Sequence, residues 1–211
     1  MSNSEPRGNT ETTPVRLEAL ARPGHMPRLG NRFTRWIGCR VFGLLGWRVA
    51  GTIPDRSQLV VAAGPHTSNW DFILAVSAIL GLGVRLSFLM KQEAFFWPFK
   101  GLFQWFGGIP TDRGSPHRMV AKVAGWYRDH PQLWVGMTPE GTRSKVQSWK
   151  TGFVRIAHAA GVPVLLVALD YPSRTLHLCQ LITTSGHHER DAAHCRALID
   201  RHFIGRHPEK Q

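Results

Sequence analysis

The 211-residue sequence predicts an α/β fold: a single layered domain with a central mixed sheet flanked by helices and preceded by an amphipathic N-terminal helix. Two observations carry this expectation. From residue 58 onward, short β-rich runs alternate with helical stretches, the order that builds a layered α/β domain. The chain is 43% hydrophobic and 19% charged, which suffices to bury one sizeable core, and it shows no internal repeat or low-complexity tract.

Taken in order, positions 1–28 hold four prolines among scattered polar residues and read as a mobile N-terminal tail, leaving 29–211 as the domain. The segment 32–50 mixes Phe33, Trp36, Ile37, Val41, Phe42, Leu44, Leu45 and Trp47 with Arg32, Arg35, Arg40 and Arg48. It suits a membrane-surface helix, with its aromatic body in the acyl boundary and its guanidinium groups at anionic headgroups. A core-packing helix with solvated arginines fits the same composition. Residues 58–63 then read as a strand and 71–80 as a helix. Residues 83–90 and 133–137 read as buried strands with a helix at 117–130 between them. A helix ends at Gly161, strands follow at 162–169 and 175–180, and the last helix covers 190–203.

Lys and Arg number 26 against 14 Asp and Glu, a net charge of +12 that favours an anionic partner: nucleic acid, acidic lipid or a phosphorylated substrate. Cys39, Cys179 and Cys195 have neither CxxC nor metal-ligand spacing and are too few for a disulfide framework, so a reducing compartment is expected. Residues 1–30 contain no apolar h-region, and the long apolar run after Asp71 is interrupted by Arg85 short of the roughly 20 residues a spanning helix needs. A peripheral position is expected.

Three clusters carry chemistry. In Pro65-His66-Thr67-Ser68-Asn69-Trp70-Asp71, the His and Asp would lie about 140° apart on a continuous helix. They can meet if His66 is in the loop and Asp71 in the first helical turn, with Thr67 or Ser68 as N-cap. The carboxylate then fixes the imidazole tautomer and leaves the other ring nitrogen free as general base. A chance pairing among 11 histidines is the alternative. In Gly107-Gly108-Ile109-Pro110-Thr111-Asp112-Arg113, the glycines allow close backbone approach and Arg113 can fork onto a phosphate, or the segment is a turn with a solvated arginine. Pro139-Glu140-Gly141-Thr142-Arg143-Ser144 combines a carboxylate, a permissive glycine, a hydroxyl and an arginine, enough to bind a glycerol phosphate, or is a loop with a salt bridge.

His66-x4-Asp71, the Gly107 to Arg113 segment, the Pro139 to Ser144 segment and the Val162-Pro163-Val164 turn into a strand occur in the order and approximate spacing of the four blocks of the glycerophospholipid acyltransferase family. The chain resembles a short bacterial-type member of the lysophosphatidate acyltransferase branch over roughly residues 55–175. The resemblance implies an acyl-CoA or acyl-carrier-protein donor, a lysophospholipid acceptor, and His66 and Asp71 as the catalytic pair that activates the acceptor hydroxyl. It implies no metal, no cofactor and no covalent intermediate. Arg113, Glu140, Gly141 and Arg143 are then expected on the glycerol phosphate, with the Thr142 hydroxyl beside them. Pro65 stands where the family often has Asn, and Met137-Thr138 replaces an aromatic; neither touches the chemistry. The expected setting is the cytoplasmic face of an anionic membrane.

Other classes are weaker. The basic residues are spread along the chain, with no helix-turn-helix, zinc or RNP pattern, so nucleic acid is not an expected partner. A hydrolase with a Ser nucleophile lacks a GxSxG elbow. A catalytically silent lipid-binding scaffold of the same fold is the main rival.

Overall fold

The computed structural model describes residues 13–91, 101, 105, 107–111 and 116–211. Its strands are β1 (Arg48–Gly51), β2 (Gln58–Gly64), β3 (Leu86–Lys91), β4 (Gly108–Thr111), β5 (Leu133–Met137), β6 (Val164–Asp170) and β7 (Thr175–Ile182). They form one sheet in the order β1-β7-β6-β2-β5-β3-β4. Every pairing is parallel except the β6–β7 hairpin, so the sheet is mixed as expected. The main helices are α1 (Arg32–Leu44), α2 (Trp70–Leu82), α3 (Pro116–Asp129), α4 (Gly152–Ala160) and α5 (His188–His202).

A strand buried on both faces must be apolar along its length, and β2 is from Leu59 onward. Val60 and Ala62 join a core with Val123 and Tyr127 of α3, Phe153 and Ile156 of α4, and Cys195 and Ile199 of α5. Leu59 and Val61 point the other way, into a second core with Phe42 of α1 and Leu74 and Ala78 of α2. The result is three layers with helices on both faces of the sheet.

Three expectations change. The helix read at 32–50 stops at Leu44, and β1 begins at Arg48. The stop is a Schellman turn: Gly46 adopts φ +77°, its N–H donates to Gly43 O at 2.9 Å, and Trp47 N–H reaches Phe42 O at 3.1 Å. The Trp47 ring then packs on Phe42, 6.2 Å between centroids. The tail expected over 1–28 is docked in its described part, because Leu17 and Met26 are buried in the second core and Val15 bridges Val49 through two backbone hydrogen bonds of 2.8 and 2.9 Å. Apolar side chains among the prolines supply burial without regular structure. Finally, the strand expected from 83 begins at Leu86, since Gly83 is the left-handed cap of α2 at φ +65°.

α1 starts with a capping box in which Asn31 accepts from the Phe33 and Thr34 N–H groups at 2.9 and 3.0 Å while Thr34 Oγ1 accepts from Asn31 N–H at 2.8 Å. It packs on α2 at Gly38, where a Cβ would stand 2.3 Å from Gly81 N. This leaves Phe33, Trp36, Val41 and Leu44 of α1 exposed, together with Trp70, Phe72 and Ile73 of α2. Among the described residues, no helix is long and apolar enough to cross a membrane.

Candidate active site

β2 is central and runs parallel to β5 on one side and β6 on the other, with Ala62 opposite Met137 and Gly64 opposite Ala168. The chain therefore leaves all three strands at the same edge, the carboxyl edge where open α/β sheets bind ligands. The segment after β2 carries His66, that after β5 carries Glu140, and that after β6 carries Tyr171.

His66 Nδ1 lies 3.1 Å from Asp71 Oδ2, so the pair separated by four residues does meet. The loop makes this possible: Thr67 N–H and Ser68 N–H both donate to the same Oδ2 at 2.9 Å, folding the backbone around the carboxylate. Neither residue is the N-cap of α2, contrary to expectation. That position is Asn69, and the Ser68 hydroxyl instead accepts from Trp70 N–H at 3.2 Å. Asp71 in the first turn reaches back to the loop amides, which removes the need for a capping side chain there and places the charge at the positive end of the helix dipole.

An ionised carboxylate only accepts, so Nδ1 must carry the proton and Nε2 keeps its lone pair. The His66 side chain is 24% exposed and that of Asp71 3%, so the base is within reach of a ligand while its partner is shielded. Burial pushes the Asp71 carboxyl upward, but hydrogen bonds from His66, Tyr171 and the Ser68 N–H outweigh it and hold the group below the usual carboxylate range.

Glu140 is also buried, and both its oxygens lie 3.1 Å from His66 N–H. The structure thus places it as a brace under the His66 loop. Burial raises its carboxyl above the ordinary value, and the His66 amide only partly opposes this. Gly141 turns at φ +66°, and a Cβ there would meet Lys150 Nζ at 2.8 Å, so the lysine side chain lies over the loop backbone. The loop is closed at its base by Gly141 N–H to Thr138 O, 3.0 Å, and Lys150 N–H to Pro139 O, 2.9 Å. Thr142 and Arg143 are exposed on it, and the Thr142 hydroxyl accepts from Ser144 N–H at 3.3 Å. Arg113 lies outside the described residues. Arg155, another basic residue of α4, binds Thr151 Oγ1 at 3.1 Å and Glu189 at 3.4 Å, tying α4 to α5.

Sequence reasoning missed Tyr171. Its hydroxyl donates to Asp71 Oδ1 at 2.5 Å from 100 residues away. No local motif marks it; only the β2–β6 register brings it to the dyad.

A buried, multiply bonded carboxylate orienting a partly exposed imidazole at the carboxyl edge of a sheet is a general-base site. The chain belongs to the acyltransferase family, whose model matches residues 48–170 and so spans the His66 loop, the Glu140 loop and β6. It is 27% identical over 202 residues to the 1-acyl-sn-glycerol-3-phosphate acyltransferase of Salmonella typhimurium, covering 84% of this chain and 80% of that one. The enzyme of the same name from Escherichia coli is 26% identical over 204 residues, with the same coverage. Among solved structures, the 1-acyl-sn-glycerophosphate acyltransferase PlsC from Thermotoga maritima superposes with a TM-score of 0.61 at 22% identity, covering 81% of this chain and 76% of that one. That likeness supports the layered fold described above.

Proposed function

We propose that this chain transfers a fatty acyl group from acyl-CoA or acyl-carrier protein to the free hydroxyl of a lysophospholipid, 1-acyl-glycerol-3-phosphate first among them. The observation that carries the reading is the Nδ1–Asp71 contact of 3.1 Å in a chain of the acyltransferase family. In the reaction, His66 Nε2 takes the acceptor's hydroxyl proton as the oxygen bonds to the thioester carbonyl carbon. The carbon–sulfur bond then breaks, and the departing thiolate receives the proton. No residue of the chain is acylated.

The acceptor's phosphate is assigned to Arg143 and Arg113, with the Gly141 backbone and the Thr142 hydroxyl at the glycerol. Arg143 is exposed on the loop whose Glu140 braces His66, which supports that assignment. The exposed apolar side chains of α1 and α2 support contact with a membrane surface, with neighbouring arginines at anionic headgroups. A cytoplasmic face accords with where acyl thioesters are made.

The test offers palmitoyl-CoA and acyl-carrier-protein donors with a panel of lysolipids and reads products by mass spectrometry. Diacylated phosphatidate from lysophosphatidate is the expected product, and Arg143→Ala should raise the KM for the acceptor more than that for the donor. A selective donor defect contradicts the phosphate role. Bound liposomes with no product from any pairing would instead favour a silent lipid-binding scaffold.

A further inference from the structure

Asp71 has two oxygens with different duties. Oδ2 serves His66 and the loop amides, whereas Oδ1 receives the Tyr171 hydroxyl. We propose that Tyr171 is a positioning residue for the dyad, seated by Arg206 and the C-terminal segment 203–207, and that it sets the strength of the Asp71–His66 hydrogen bond. The inference rests on the general-base reading of His66.

The hydroxyl is fixed from several sides. Its ring meets Trp47 edge-on, 5.0 Å between centroids, and the Arg206 side chain lines the same pocket as the phenol. Arg206 itself lies over Trp70, with the guanidinium 5.2 Å from the ring centroid. The backbone is pinned too: Tyr171 N–H donates to Ile204 O at 3.0 Å, and Ile204 N–H donates to Asp170 Oδ1 at 3.0 Å. Three residues beyond Ile204, His207 N–H donates to Thr67 Oγ1 at 3.1 Å. The C-terminal segment therefore clasps both the Tyr171 turn and the His66 loop, and ties together the two sides of one carboxylate.

Burial and the Asp71 carboxylate hold the phenol's titration above its ordinary range, so it stays protonated as a donor to Asp71, and the nearby Arg206 cation favours electron density on its oxygen and sharpens that donation. Such a donor draws charge from the carboxylate and tempers its pull on the imidazole N–H. It also blocks rotation of the carboxylate, which would otherwise exchange Oδ1 for Oδ2.

The test is Tyr171→Phe, which keeps the ring against Trp47 and removes only the hydroxyl. It is measured beside wild type and His66→Ala, using palmitoyl-CoA and lysophosphatidate for kinetics and the low-field proton resonance of His66 Nδ1–H for the bond. The expected result is a fall in kcat of about tenfold, because a carboxylate free to rotate no longer holds the imidazole in register, with both KM values held within about twofold, and a downfield shift of the resonance as Asp71 turns its charge to His66. A merely structural role would lower stability without moving that resonance. Should Tyr171→Phe fail to fold, 3-fluorotyrosine at both tyrosines, Tyr127 and Tyr171, makes the phenol a stronger donor and should move the resonance upfield. An unmoved resonance in the folded variant, or in the fluorinated protein, overturns the proposal. If His66→Ala itself retains full activity, the general-base reading falls and this inference with it.

Discussion

Asp71 and Glu140 are both buried carboxylates, yet their surroundings push them in opposite directions. Asp71 is held low by its donors, so its contribution to stability is full at neutral pH and is lost as pH falls through its depressed titration. Glu140 is raised by burial, so its charged form costs stability, and that cost appears as pH rises through its elevated titration. Glu140→Gln keeps an oxygen for the His66 N–H. The stability of this variant relative to wild type should therefore improve as pH rises through the carboxylate range and show little difference in acid, as thermal melts across pH would report. Asp71→Asn should leave the fold intact while cutting turnover by about 10² or more, since an amide can present its NH2 to Nδ1 and stabilise the wrong tautomer. Steady-state kinetics on the folded variant check this. At this scale the sequence showed His66, Asp71, Glu140 and Gly141 because they cluster within two short segments. It hid Tyr171, whose partner is 100 residues distant and joined to it only by strand register.

The same contrast holds for elements. Strands β2, β5 and β6 were legible as apolar runs because burial on both faces leaves polar residues only at their ends, as Gln58 and Asp170 show. The end of α1 was harder, because the aromatic and basic residues of 32–50 run on beyond the helix. Its signal was Gly46 after a run of apolar residues, the residue that can take the left-handed turn and let Trp47 fold back on Phe42. β1 escaped because four residues leave too short a pattern, and its pairing partner β7 lies far along the chain. The α1–α2 contact depends on a backbone approach at Gly38 that any side chain would obstruct. Gly38→Val should destabilise the protein by about 1–3 kcal/mol through that overpacking, measured by denaturant unfolding. Leu44→Gln, at a position 86% exposed, should leave stability within about 0.5 kcal/mol but weaken sedimentation with vesicles.

Across the whole molecule, the proposed membrane contact draws on two features, a net charge of +12 and the exposed apolar side chains of the α1–α2 pair. Charge attraction is screened within about 8 Å at physiological salt, whereas apolar insertion is not. Binding to phosphatidylcholine vesicles carrying phosphatidylglycerol should thus weaken as salt rises, while a residual salt-insensitive component is lost in Leu44→Gln. Cosedimentation at several ionic strengths separates the two. The sheet order places the reacting groups at the carboxyl edge, and the α1–α2 pair places the apolar face beside the start of α2, where Asp71 sits. On the proposed reading, that arrangement would let a lipid acceptor present its hydroxyl without leaving the interface. The central claim is that His66 takes the proton from that hydroxyl. Its most direct test is transfer of a labelled acyl group from palmitoyl-CoA to lysophosphatidate by wild type and by folded His66→Ala. Loss of at least about 10² in rate is predicted; near-normal transfer by the folded variant would contradict it.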